Sequence, residues 1–287
     1  MTEFFGLPAF KRMYGFGDVA TLRADMLVAF VGGADARALA GAVPAHRLLK
    51  PIASAPLVVV QTAFTSAADN GDPEDNVYRY NEVMLAVVVE GVGTPVPALF
   101  PLILFVDHPV PMVSGREYYG FPKVLGEVAL ERGSAAVRYA YSPRGERKVV
   151  TVLKSRWDTR PGLVARALSG LAEALAGVVR GAGVDEDTID LVGAIALAPA
   201  GQILNVRQLP DLSNPRRARV SELTRFAPRL VDPGAPALVR GHSLELPNEP
   251  VWSLERRFFR GAPPRTLAAF TWSVTMQVTT GEVLDTW

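Results

Sequence analysis

From Arg23 onward the chain returns again and again to short runs of β-branched and aromatic residues, most of them bounded by glycine, proline or polar turn residues. Leu57-Val58-Val59-Val60-Gln61-Thr62-Ala63-Phe64 is the plainest of them. Branching at Cβ stiffens the side chain and suits a pleated, extended surface better than a helix. Such runs are too short to bury a face alone, so they must pair. Strands are predicted over residues 23–31, 57–64, 80–90 and 102–107. Residues 127–131, 135–141 and 148–154 read as an antiparallel meander, turned at Arg132-Gly133-Ser134 and at Pro143-Arg144-Gly145-Glu146. Further strands are predicted over 191–198, 202–209, 219–223, 237–246 and 267–279.

Helices are few. Asp35 can cap a short one over 36–42, ended by Pro44. The strongest helical period lies at 161–180, where Leu163, Leu168, Leu171 and Leu175 share one face, Pro161 suits the first turn and Gly181 stops it. The basic stretch 214–219 has no interleaved aromatics and reads as a solvated loop. The pattern predicts an α+β fold: one antiparallel, β-rich domain over residues 1–287, its sheet curled or barrel-like, with helices flanking it.

Composition removes several function classes. A net charge of +1 gives no electrostatic case for nucleic acid or an acidic membrane. With no cysteine there is no disulfide, thiolate metal site or cysteine nucleophile. His46, His108 and His242 are too scattered for metal-ligand spacing. No phosphate loop, dinucleotide fingerprint or Gly-x-Ser-x-Gly elbow occurs, so neither metal nor cofactor is expected. The apolar run 98–106 is interrupted by Pro101 and is too short to span a bilayer. The first eight residues, acidic and broken by Pro8, do not read as a signal peptide, and a cytoplasmic, homo-oligomeric enzyme is expected.

Only five of the thirty basic residues are lysines, and one of them, Lys123, stands among Tyr118, Tyr119, Phe121, Pro122 and Val124. Arginine cannot give up its proton, so a lysine in an arginine-preferring chain invites a chemical reason. An amine held in apolar surroundings is easier to deprotonate, and the neutral amine attacks carbonyls. The bland alternative is a turn at Phe121-Pro122-Lys123 leading into a strand over 124–130, with the lysine reaching water.

Gly115-Arg116-Glu117-Tyr118-Tyr119-Gly120-Phe121-Pro122-Lys123, with Tyr80-Asn81-Glu82 upstream, resembles the acetoacetate decarboxylase superfamily. The likeness is strongest over 80–130, looser over 23–61, and reduced beyond 160 to a strand-rich texture. It implies a barrel-like sheet with flanking helices and a Schiff-base lysine, a kind of activation already established for that family. Carried over residue by residue, it implies Lys123 as nucleophile and Glu82 as proton carrier. Arg23 would hold a substrate carboxylate, with Arg116 as a second candidate if it is not paired with Glu117. Tyr119 and Phe121 would be dry walls, and Gln61 stands where some relatives carry a second glutamate.

Val124 departs from the pattern, because decarboxylases of the family carry a second lysine there. In an extended segment neighbouring residues point to opposite faces, so a lysine at 124 would perturb Lys123 poorly. The activity implied is decarboxylation of a small β-keto acid through an imine at Lys123. The alternatives are an aldolase-dehydratase joining pyruvate to an aldehyde through the same lysine, and a non-catalytic keto-acid binding protein.

Overall fold

The computed structural model describes residues 20–67, 78–142, 145–159, 202–211, 214–232, 234–247, 253–278 and 281–287. In chain order the elements are β1 (Ala20–Gly32), α1 (Ala36–Ala40), β2 (Leu57–Ala67), β3 (Tyr78–Val89), β4 (Ala98–Val106), α2 (Pro109–Tyr119) and β5 (Lys123–Leu125). There follow β6 (Glu127–Glu131), β7 (Ser134–Tyr141), β8 (Lys148–Arg156), β9 (Ile203–Asp211), β10 (Asn214–Phe226) and β11 (Arg229–Asp232). The remainder are β12 (Ala237–Leu238), β13 (Ser243–Glu245), a π-helical turn at Glu255–Phe259, β14 (Arg265–Val278) and β15 (Glu282–Thr286). The strand-dominated fold expected from the sequence is the one observed.

Eleven strands form one sheet, ordered β11-β14-β1-β2-β3-β4-β9-β10-β15, with β12 added beside β14 and β5 beside β4. The path is open, yet strongly curled. β14 and β10 stand six strands apart, about 29 Å across a flat sheet at 4.8 Å per step, and still Met276 and Phe226 line the same cavity. β6, β7, β8 and β13 form a second sheet, so the predicted meander is antiparallel as expected.

Both faces of the large sheet are buried. Leu22, Met26, Val60, Met84 and Trp272 pack on the concave face, while Leu27, Val59, Leu85, Phe105 and Phe258 pack on the other, with Val137 and Leu153 of the small sheet. This explains the near-continuous apolar runs of β1 and β2, where a strand with one wet face would alternate.

The predicted helix at 36–42 is α1, and Asp35 caps it by accepting from the Ala38 N–H at 2.9 Å. The helix expected over 161–180 and the strand over 191–198 lie outside the described residues. Three expectations are corrected. The run 237–246 is two strands in different sheets, because Gly241 turns the chain with a left-handed φ of 63°. The basic stretch 214–219 is strand rather than loop, pairing with β9 at Asn214 and Ala218. The strand expected over 124–130 is broken at Gly126 into β5 and β6, again in different sheets. No helix among the described residues is long and apolar enough to cross a membrane.

His242, between β12 and β13, hydrogen-bonds Thr266 Oγ1 at 2.8 Å through Nδ1, while Nε2 has no partner. Burial disfavours the charged ring and pulls its pKa down from 6.5 to about 4. The unfolded chain then takes up the proton first. Stability at this residue is complete above pH 6.5, is lost as pH falls towards 4, and changes no further below that. At about 1.4 kcal/mol per pH unit the loss approaches about 3 kcal/mol. Denaturant unfolding at pH 7 and pH 4.5 should show this loss in the native chain, and His242→Gln should flatten it.

Candidate active site

The site begins on β3, where strand alternation sends Tyr80 and Glu82 to the concave face and Asn81 to the other. Asn81 is held firmly. Its backbone N–H and its side-chain Nδ2 donate to the two carboxylate oxygens of Asp107 at 2.7 and 2.8 Å, and Nδ2 also reaches the Val128 carbonyl at 3.3 Å. The residue beside Glu82 thus pins β3 to the end of β4 and to the small sheet.

After β4 the chain crosses over through α2 and returns as β5, parallel to β4, with Lys123 opposite Leu104. His108 caps α2 through Nδ1, accepting from the Val110 N–H at 3.2 Å, and Pro109 occupies the first turn. Gly120 closes α2 with φ at 72°, and a Cβ there would come within 2.8 Å of the Arg207 backbone on β9. Glycine is therefore demanded twice at this position, by conformation and by space.

From β5 the Lys123 side chain reaches past β4 to β3, two strand spacings or about 9.6 Å. Its Nζ donates to Glu82 Oε2 at 2.7 Å. The Lys123 side chain is 7% exposed and that of Glu82 12%. The ammonium lies 5.6 Å from the Tyr80 ring centre and 5.5 Å from that of Phe121. Removing two charges from water costs several kcal/mol per ion, and only a close, hydrogen-bonded pair recovers much of it.

Gly115 completes the packing, because a Cβ there would stand 2.7 Å from both Cδ and Cε of Lys123. The backbone of α2 lies directly on the lysine stem. The cavity around Nζ measures about 100 Å³. Since roughly 10–15 Å³ admits one water, this is space for a small organic molecule. Three of the chain's six methionines, Met26, Met84 and Met276, line it. Lys123 and Glu82 are the only charged residues lining it among those described.

The acetoacetate decarboxylase (ADC) family model matches residues 23–286. The chain belongs to that family. Its fold is shared with the acetoacetate decarboxylase of Legionella pneumophila subsp. pneumophila str. Philadelphia 1, at a TM-score of 0.61 and 13% identity, over 99% of this chain and 94% of that one. The acetoacetate decarboxylase-like enzyme of Sphingomonas wittichii RW1 gives 0.61 at 19% identity, over 94% of each chain. The enduracididine biosynthesis enzyme MppR, complexed with the condensation product of pyruvate and imidazole 4-carboxaldehyde, gives 0.61 at 14%, over 94% of this chain and 90% of that one. At such identities the likeness is one of fold. No curated protein is similar enough in sequence to match.

Within this member of the acetoacetate decarboxylase family, four of the seven residues singled out from the sequence converge on the cavity: Lys123, Glu82, Tyr119 and Phe121. Tyr119 and Phe121 sit with ring centres 5.8 Å apart, and each packs edge-on against Phe226 of β10. Val124 packs into the core on the opposite side of the sheet, so neighbouring residues do diverge there.

The structure does not bring the other three to the cavity. Arg23 is 68% exposed and sits 3.9 Å from Asp25, while its neighbour Leu22 lines the cavity. Gln61 faces the small sheet and donates to Ser155 Oγ at 2.7 Å, and the β2 residue that does face Glu82 across the strands is Thr62. Arg116 and Glu117 are exposed on α2 and form no ion pair with each other, being adjacent residues that leave a helix in different directions. Gly115 and Thr62 were missed in the sequence; the glycine of Gly-Arg-Glu was the available signal for the first.

Proposed function

We propose that this chain is a Schiff-base-forming carboxy-lyase acting on a small β-keto acid, built as one acetoacetate decarboxylase-like domain. The observation that carries the reading is the Lys123–Glu82 pair, 2.7 Å apart in a cavity whose other described lining residues are uncharged. Proton transfer to Glu82 frees the amine, which attacks the ketone carbon; Glu82 gives that proton to the carbinolamine oxygen, which leaves as water, and an iminium remains beside the Glu82 carboxylate. The bond to the carboxylate carbon then breaks, its electron pair enters the iminium as an enamine, and carbon dioxide departs. Glu82 takes up a proton from water and passes it to the enamine carbon, and hydrolysis then releases the ketone and Lys123. The iminium is itself the electron sink, so the scheme needs no added cofactor.

The walls favour this over aldol chemistry. Decarboxylation discharges a carboxylate, and a dry cavity containing a second carboxylate opposes keeping that charge. An aldolase-dehydratase must retain and clamp an α-carboxylate, and no arginine lines the cavity among the described residues. Incubation with acetoacetate should release carbon dioxide. An ultraviolet-absorbing product from pyruvate plus an aromatic aldehyde, with none of the first reaction, would overturn the proposal, and imine trapping without either product would indicate a binding protein. Glu82→Gln should lower kcat by about 10²–10⁴-fold while borohydride still traps an adduct.

A further inference from the structure

The wall of the catalytic cavity changes character within two strands of the reacting pair. Glu82 on β3 stands opposite Thr62 on β2, and Thr62 stands opposite Met26 on β1. One row further along the same face, Met84 stands opposite Val60. Strands lie about 4.8 Å apart, so two steps lead from a carboxylate to a thioether with one hydroxyl between. Leu22 and Met276, partners across β1 and β14, extend the apolar lining. Each of these uncharged residues lines the cavity and is buried.

A ketone held at Lys123 Nζ carries two substituents. The one bearing the carboxylate finds no cation besides Lys123 on the cavity walls among the described residues, and burying that charge against thioethers and methyl groups is costly. The other substituent is the one the walls accept. Hydrocarbon laid on Met26, Met84 and Val60 leaves water without abandoning a hydrogen bond. Methionine is unbranched with three rotatable bonds, so the wall yields to chains of different length where leucine or valine would resist. Volume sets the limit. The cavity's 100 Å³ or so is below the roughly 150 Å³ at which an engineered apolar cavity takes up benzene, and it admits a slim chain more readily than an aryl ring.

We propose that the cavity selects β-keto acids whose ketone carries a short unbranched alkyl chain longer than the methyl of acetoacetate, and that Met26 and Met84 set this preference. The preference rests on the imine at Lys123 proposed above and is independent of whether carbon dioxide then leaves. Acetoacetate and 3-oxohexanoate differ by two methylenes on the ketone side, and decarboxylation would turn them into acetone and 2-pentanone. Those two ketones carry no carboxylate, so they report on the alkyl wall alone.

Borohydride trapping of the full chain tests it. Hydride delivered to the iminium carbon fixes each adduct as a secondary amine on Lys123, and mass spectrometry counts it. Half-saturation should come at about tenfold lower 2-pentanone than acetone, since each buried methylene is worth about fourfold, and acetophenone should be trapped less well than 2-pentanone. Met26→Gln and Met84→Gln keep side-chain length but replace a thioether with an amide, and each should shrink the preference by about threefold or more. Met84→Leu, still apolar, should keep it. A native ratio near one, or a ratio unchanged in both glutamine variants, would overturn the preference, and the native ratio needs no variant to fold. 3-Oxohexanoate should release carbon dioxide with about tenfold higher kcat/KM than acetoacetate. Graded trapping with carbon dioxide from neither acid would remove the decarboxylase reading and leave the preference standing. Carbon dioxide from both acids at equal kcat/KM would do the reverse, and no trapping with any ketone would overturn both.

Discussion

Lys123→Arg should yield no borohydride-trapped adduct with acetoacetate or pyruvate, and its turnover should fall by at least about 10³-fold, more than 4 kcal/mol of barrier. A guanidinium keeps its proton, so it cannot attack a carbonyl, yet it can still neutralise Glu82 across the gap that Lys123 now spans at 2.7 Å. The fold should therefore survive, and circular dichroism would separate lost chemistry from lost structure. Lys50, Lys148 and Lys154 are exposed and offer no comparable setting. A trapped adduct located by mass spectrometry on one of those lysines in the native chain would end the assignment.

Gly115→Ala should be nearly as informative, because it touches no reacting group. The new methyl would meet Cδ and Cε of Lys123 at 2.7 Å, so the stem, the helix backbone or both must move. A displacement of about 1 Å in a reacting group can cost about 10²-fold in rate, and a loss of that order in kcat is expected. Stability should change far less, since alanine is preferred over glycine inside a helix by about 1 kcal/mol, which offsets part of the crowding. Unimpaired kcat in Gly115→Ala would mean that the close approach of α2 does not position the nucleophile.

The sequence was most legible where chemistry and local geometry coincide. Asp35 reads as a cap and is one. Tyr80-Asn81-Glu82 and the aromatic-Pro-Lys run read as two halves of a site, and they meet. Arg23 and Gln61 failed by a single residue, with Leu22 and Thr62 taking the positions expected of them. In a strand one residue is the whole difference between faces. Alternation could not resolve it, because β1 and β2 are buried on both sides and carry apolar residues on each.

Helix α2 was hidden for a different reason. Pro109, Pro111, Gly115 and Gly120 give it the composition of a loop, and its existence depends on a cap by His108 and a left-handed ending at Gly120. The clamp between Asn81 and Asp107 was equally invisible, since the two lie twenty-six positions apart. Nothing local marks such a partner.

The distribution of the site along the chain bears on the order in which the site is assembled. Lys123 and Glu82 are separated by forty-one positions and belong to neighbouring parts of one β3–β4–α2–β5 stretch. The enclosure around them depends on β1 meeting β14, with Leu22 set against Met276 from near the two ends of the described chain. Short-range pairings close cheaply and early, whereas a contact across most of the chain carries the larger loop entropy and comes late. A growing or partly folded chain can thus bring lysine and glutamate together while both still stand in water. The walls close around the pair only when the last long strand zips home, so enclosure is the last property of the site to form.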